Sequence, residues 1–324
     1  MFIVSPIILL LGSVIWWKIN TEPVDISKKE KVNFVINRGE GIAEIALRLK
    51  DQNLIKNSLH FKITVIFMGF SKKIQAGNFN LFPSMSETEI AQVLTRAKND
   101  KWVTIVEGLR QEQIGEVLIK EGFNVNYTIW VDNVRLNQME GKIFPDSYLL
   151  PETATEEAIL KLTYRNFQKK IERDLAQKIT QSSLTLNQIL TLASIVEREA
   201  QNDEDRKIVA GILLKRLRND WPLQVDATIQ YAVASAKCKG KITGCDWWPK
   251  KLTKNDLSIN SAFNTYLNIG FPPGPICNPG LSSIRSVLEP QNSAYWFYIS
   301  DQSGKMHYAS TQEEHTANIA RYLY

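Results

Sequence analysis

The stretch LNQILTLASIVEREA (186–200) puts one acid where acid–base chemistry would need it. Ile189, Leu192, Ala193 and Val196 recur at i, i+3, i+4 and i+7, the spacing of a single buried helical stripe. Glu199 is the next position on that stripe. Its carboxyl is therefore expected on the apolar side of the helix, near protein or a cleft, where loss of water favours the neutral acid and raises the pKa. A general acid needs that environment. Glu197 lies about 200° round the helix at ~100° per residue and is expected to look outward or sideways. The competing reading is that Glu199 simply ends a helix and pairs with Arg206 or Lys207 on the next one.

A polar constellation accompanies it. In WPLQVDATIQY (221–231), Asp226 can N-cap a helix and Gln224 sits one β-step before it, on the same side. INSAFNTYLNIGFPPGPICNPG (259–280) supplies Asn264, Thr265 and Tyr266 ahead of a proline-rich loop. Amides, hydroxyls and an aromatic ring on stiff loops suit recognition of sugar hydroxyls. They suit ordinary turn-making equally well. Trp247 and Trp248 in GCDWWPK (244–250), and Phe144 and Tyr148 in FPDSY, are aromatic candidates for stacking on sugar faces or for packing a loop onto the core. Cys238 and Cys245 bracket a short glycine-containing loop that an oxidising compartment could close with a disulfide. His60, His307 and His315 are too scattered to propose a metal site, and no cofactor is implied.

These residues require an α+β frame. VNFVINR (32–38) alternates like a strand; helices are predicted at 42–49 and 58–69, a strand at 77–82, and a helix after the Ser86/Glu89 capping box. A strand at 101–107 and a helix through Leu118 follow. Texture changes near 145–155, after which helices are expected over 155–180, 185–200 and 203–219. A helix at 280–289, strands at 294–300 and near His307, and a final helix capped by Thr311 with Glu314 close the chain. Runs of helices with segregated strands argue α+β.

Residues 1–17 carry no charge and just reach the ~17-residue lower limit for a membrane span. Trp16 and Trp17 beside Lys18 match an interfacial aromatic belt. A cleaved signal peptide is the rival, but no small-residue cleavage site follows. The expected organisation is an anchor (1–17), a polar tether (18–31), a β/α module with a connecting region (32–145) and a helix-rich domain with a small sheet (146–324). With 39 basic and 34 acidic side chains in 324 residues, the net charge of +5 is too dilute for a nucleic-acid stripe.

Four segments together carry a resemblance: VEGLRQEQI (106–114), ASIVEREA (193–200), LLKRLRNDWPLQVDATIQYA (213–232) and NTYLNIGFPPGPICNPGLSSIRSVLEP (264–290). In this order, behind an N-terminal anchor, they resemble the endolytic murein transglycosylases, the YceG-like or MltG family. The resemblance runs from about residue 30 to 324. It implies a single-pass enzyme of the bacterial cytoplasmic membrane, with a LysM-like module before an extracytoplasmic catalytic domain. It further implies peptidoglycan as substrate, cut inside nascent glycan strands at the MurNAc–GlcNAc bond to leave 1,6-anhydro ends, and association with peptidoglycan synthases. Glu199 falls on the family's catalytic carboxylate, while Glu197, Gln224, Asp226, Asn264 and Tyr266 fall on retained positions read as substrate-binding or supporting. Ala227 stands where the family usually has proline. A muramidase-type hydrolase, with Asp226 or Glu197 activating water, and a non-catalytic wall-binding anchor are the alternatives. The anhydro product is expected on the premise that no second carboxylate stands across the cleft.

Overall fold

The computed structural model describes residues 4–28, 30–37, 39–95, 100–151, 153–239 and 244–323, with the side chains of the first helix described from Gly12 onward, except that of Val14. The chain is helix-rich α+β with three two-stranded sheets among these residues. It divides into two compact units, residues 1–102 with 149–152, and residues 103–148 with 153–324. Residues 103–145, grouped with the first module on sequence grounds, fall in the second unit.

The first unit opens with α1 (Val4–Thr21). Among the described residues no helix is long and apolar enough to cross a membrane. The helical run expected over 1–17 continues to Thr21, taking in Lys18, Asn20 and Thr21, which dilute its apolar character. Asn20 Nδ2 and Thr21 Oγ1 donate to the carbonyls of Trp16 and Trp17, each at 2.8 Å, so polar residues extend the helix at little cost. The tether is not free of the module, since Asp25 N–H donates to the Pro83 carbonyl at 3.1 Å. Two antiparallel strands, β1 (Val32–Ile36) and β2 (Gly77–Leu81), enclose α2 (Ile42–Asp51) and α3 (Ser58–Phe67) in sequence, with Val32 opposite Leu81 and Ile36 opposite Gly77. Phe34, Leu49, Phe61, Phe79 and Leu81 form its core together with Ile90 and Leu94 of α4 (Glu87–Thr95). Asn57 starts α3 by accepting from the Leu59 and His60 N–H groups.

β3 (Asp100–Ile105) pairs with β4 (Asp146–Pro151), and between them run α5 (Gln111–Lys120) and α6 (Tyr127–Leu136). The single helix expected over 155–180 is three pieces: α7 (Glu156–Phe167), a π-helical turn at 168–173 and α8 (Ala176–Gln181). Phe167, Ile171 and Leu175 are all buried at four-residue spacing along this stretch. The centre of the second unit is α9 (Leu186–Glu199), begun by a Thr185/Gln188 capping box and packed against α10 (Asp203–Arg218), α11 (Asp226–Lys237) and α12 (Leu281–Leu288). The antiparallel pair β5 (Phe297–Ser300) and β6 (Met306–Ala309) and the Thr311-capped α13 (Gln312–Tyr322) finish the unit. Leu192, Ala193, Val196, Val209, Leu213, Val225, Ile276 and Ile284 belong to one apolar cluster.

Candidate active site

Glu199 is the last residue of α9 and lines a cavity of about 490 Å³, shared with Arg216, Gln224, Asp226, Tyr266, Tyr298 and His315. Its carboxyl is pushed up to about 7, first by loss of water and then by the Asp226 charge. The Tyr298 hydroxyl, the Ala227 N–H and Arg198 work in the opposite direction by favouring the ionised form. The helical-stripe expectation is met in geometry: Glu199 projects from the apolar side of α9 into a partly enclosed polar hollow. The Arg206 partnership belongs instead to Glu197.

Asp226 is the first residue of α11 rather than its N-cap, which is Val225 with no side-chain cap. A negative charge in that first turn is favoured by the helix dipole. Tyr266 donates its hydroxyl to Asp226 Oδ1 at 2.6 Å, and its own ionisation is pushed up by burial and by that carboxylate. A second carboxylate, Asp226, therefore lines the same cavity as Glu199.

Two loops are locked together to hold these groups. Gln224 N–H donates to the Thr265 carbonyl at 3.1 Å, Val225 N–H to Thr265 Oγ1 at 3.0 Å, and the Thr228 and Thr265 hydroxyls lie 2.9 Å apart. Gln224 has φ of 50°, a left-handed backbone that a non-glycine residue holds only when its surroundings enforce it, and its side chain faces the cavity. Arg216, buried, donates to the Trp296 carbonyl through Nε and Nη2 at 3.0 and 2.7 Å and to the Leu223 carbonyl through Nη1. It thereby ties β5 and the strand-like entry to α11 onto α10.

Two expected substrate contacts sit elsewhere. Asn264 is 0% exposed; its Nδ2 donates to the Leu257 and Ile259 carbonyls at 3.0 and 2.9 Å, and its Oδ1 accepts from Tyr266 N–H at 3.0 Å. It shapes the loop that carries Tyr266. Glu197 accepts from Arg206 Nη2 at 3.0 Å and from Gly280 N–H at 2.8 Å, outside the cavity, because 200° of helix separates it from Glu199. There it raises the pKa of Glu107, second to the effect of burial.

The proline loop and VEGLR segment also prove to be scaffold. Ile276 N–H donates to Ser194 Oγ at 2.9 Å, and Asn278 bridges Glu140 (2.7 Å), the Leu109 carbonyl (3.1 Å) and Ile143 N–H (2.9 Å). Arg110 is buried with its guanidinium 4.0 Å from the Tyr231 ring and 4.8 Å from that of Trp247. Trp247 is only 5% exposed and its indole N–H donates to Glu116 at 3.0 Å; Trp248 donates to Gln113 and receives Arg198 on its face at 4.0 Å. These contacts favour the packing reading for both, and Phe144 and Tyr148 are likewise buried. Cys238 and Cys245 are joined by a disulfide, although residues 240–243 of their loop lie outside the described residues. Among the described residues no cluster of His, Cys, Asp and Glu could hold a metal ion.

Sequence reading missed Tyr298, Arg216 and His315. Tyr298 comes from a strand, and Arg216 and His315 from helices, that the sequence predicts as structure only. The strand expected at 294–300 gave no sign of which face meets Glu199.

The profile of the YceG-like family matches residues 34–321. The chain belongs to the YceG-like family. Two YceG-like relatives are informative. A Streptococcus pneumoniae protein named endolytic murein transglycosylase is 28% identical over 93% of this chain and 60% of its own length; a Bacillus subtilis protein of the same name is 28% identical over 96% of this chain and 90% of its own. The chain thus spans about three fifths of the pneumococcal relative. A crystal structure of a YceG-like protein from Listeria monocytogenes covers 89% of this chain and 99% of its own, at 26% identity and a TM-score of 0.57. Glu199, Asp226 and Tyr266 all fall within the residues that the YceG-like profile matches.

Proposed function

We propose that this protein is an endolytic lytic transglycosylase of peptidoglycan, with Glu199 as its single acid–base group. The observation that carries the reading is a carboxyl held near pH 7 in a polar cavity, on a chain of the YceG-like family whose relatives bear that name. Protonated Glu199 donates to the glycosidic oxygen leaving the N-acetylmuramyl anomeric carbon as oxocarbenium character develops. The carboxylate so formed takes the proton of the same sugar's C6 hydroxyl. That oxygen attacks the anomeric carbon, giving a 1,6-anhydro end without water. Both steps need a pKa near working pH, which the dry wall and the Asp226 charge supply. Asp226 keeps Glu199 protonated until substrate arrives and places negative charge beside the developing cation. Gln224 and Tyr266 are the remaining substrate-facing groups.

Asp226 in the same cavity favours a second reading, a hydrolase in which it activates water. The products separate the two. Mass spectrometry of glycan strands digested by the protein is expected to show anhydro-muramyl ends; reducing ends would establish hydrolysis. Glu199→Gln is expected to lower cleavage by about 10²–10⁴-fold with folding retained, the range for losing a general acid–base. A Glu199→Gln protein that cleaves like its parent would overturn the enzymatic reading and leave a wall-binding anchor.

The rest of the proposal concerns place and partners. α1 is the anchor in a bacterial cytoplasmic membrane, with the remainder outside, where the Cys238–Cys245 disulfide is at home. The βααβ order of the first unit supports a LysM-like module. Association with peptidoglycan synthases rests on the family resemblance.

A further inference from the structure

Four large apolar side chains of α3 face solvent. Leu59, Ile63, Ile66 and Phe67 are exposed, Ile66 to 63% and Phe67 to 83%, and at ~100° per residue they share an arc of about 100°. His60, Phe61, Thr64 and Val65 on the other side are buried. A solvated apolar stripe of this kind marks an interaction surface.

The stripe continues the surface of α1. The Trp17 indole lies 6.1 Å from the Phe67 ring and 4.5 Å from that of His60, and Lys56 Nζ donates to the Ile19 carbonyl at 2.9 Å. Ile15, Trp16 and Ile19 of α1 are exposed as well. Neither α1 nor α3 contains Asp or Glu, while Lys18, Lys62 and the Lys72–Lys73 pair after α3 flank the stripe. Lysine stems that lie along apolar surface while their ammonium groups reach phosphates are the chemistry of a helix resting in a bilayer interface.

We propose that α3 is a second membrane contact, seated at headgroup depth in an anionic bilayer beside α1 and held by Leu59, Ile63, Ile66 and Phe67. The proposal rests on reading α1 as the anchor. Two points of attachment then fix the orientation of the first unit on the lipid surface, where a lone helix would let it swivel.

The test uses the full chain in nanodiscs of phosphatidylglycerol and phosphatidylcholine, with an environment-sensitive dye on Ile15→Cys or, separately, Ile66→Cys. Lipids brominated near the headgroup are expected to quench both labels. Each of Lys62→Gln, Lys72→Gln and Lys73→Gln is expected to lower the docked-to-free ratio at position 66 about fivefold, from ~1 kcal/mol per surface lysine. If the label at 15 is quenched while the one at 66 is open to iodide, the anchor stands and the α3 contact is overturned. If neither is quenched, both fall. If the label at 66 is shielded without bromine quenching and transfers energy between chains, a second copy covers the stripe and the proposal is overturned.

Discussion

At the scale of single residues, Glu199 is governed by neighbours that push in opposite directions. Asp226→Asn removes the like charge and is expected to move the alkaline limb of the pH–rate profile to lower pH. Tyr298→Phe removes a group that favours the carboxylate and is expected to move that limb to higher pH. Steady-state rates against pH would check both, and shifts of the same sign would refute the assignment. The raised pKa also links to stability. A carboxyl of about 7 when folded and 4.5 when unfolded binds its proton more tightly in the native state, so stability falls as pH rises from about 4.5 to about 7. Glu199→Gln should therefore melt above the parent at pH 8, with the gap closing toward pH 4.5.

Among elements, α10 meets the 290–291 turn with no room for a side chain. A Cβ on Gly211 would stand 2.1 Å from the Gln291 carbonyl oxygen, and Gln291 N–H donates to the Lys207 carbonyl at 3.0 Å. Gly211→Ala forfeits this approach despite alanine's better helix propensity, and a loss of about 1–3 kcal/mol is expected in urea melts. Asn264→Ala is expected to lower both stability and activity, by about 1–3 kcal/mol in folding, because three hydrogen bonds that set the Tyr266 loop disappear. Tyr266→Phe would leave stability nearer the parent's, since Tyr266 gives up only its contact with Asp226.

For the whole molecule, the disulfide closes a loop on α11 with its two Cα atoms 5.9 Å apart. Replacing Cys238 and Cys245 by serine is expected to cost about 2–3 kcal/mol, the loop-closure value for so short a ring. Denaturation with and without reductant would show it: the parent should respond to reductant and the double variant should not.

The sequence by itself determined the periodic elements and the placing of Glu199 on the apolar side of α9, because helical spacing is a local property that one strand of text records. The capping boxes at Ser86 and Thr311 were legible for the same reason. Tertiary structure alone decided that Glu197 faces Arg206 and Gly280, that Asn264 is spent on backbone carbonyls, and that Tyr298 and Arg216 join Glu199. Those outcomes depend on which faces meet across the chain, over spans as different as 5 residues at Asn264 and 83 between Glu197 and Gly280. It also divided the 155–180 run into α7, a π-helical turn and α8, with Phe167, Ile171 and Leu175 all buried along it.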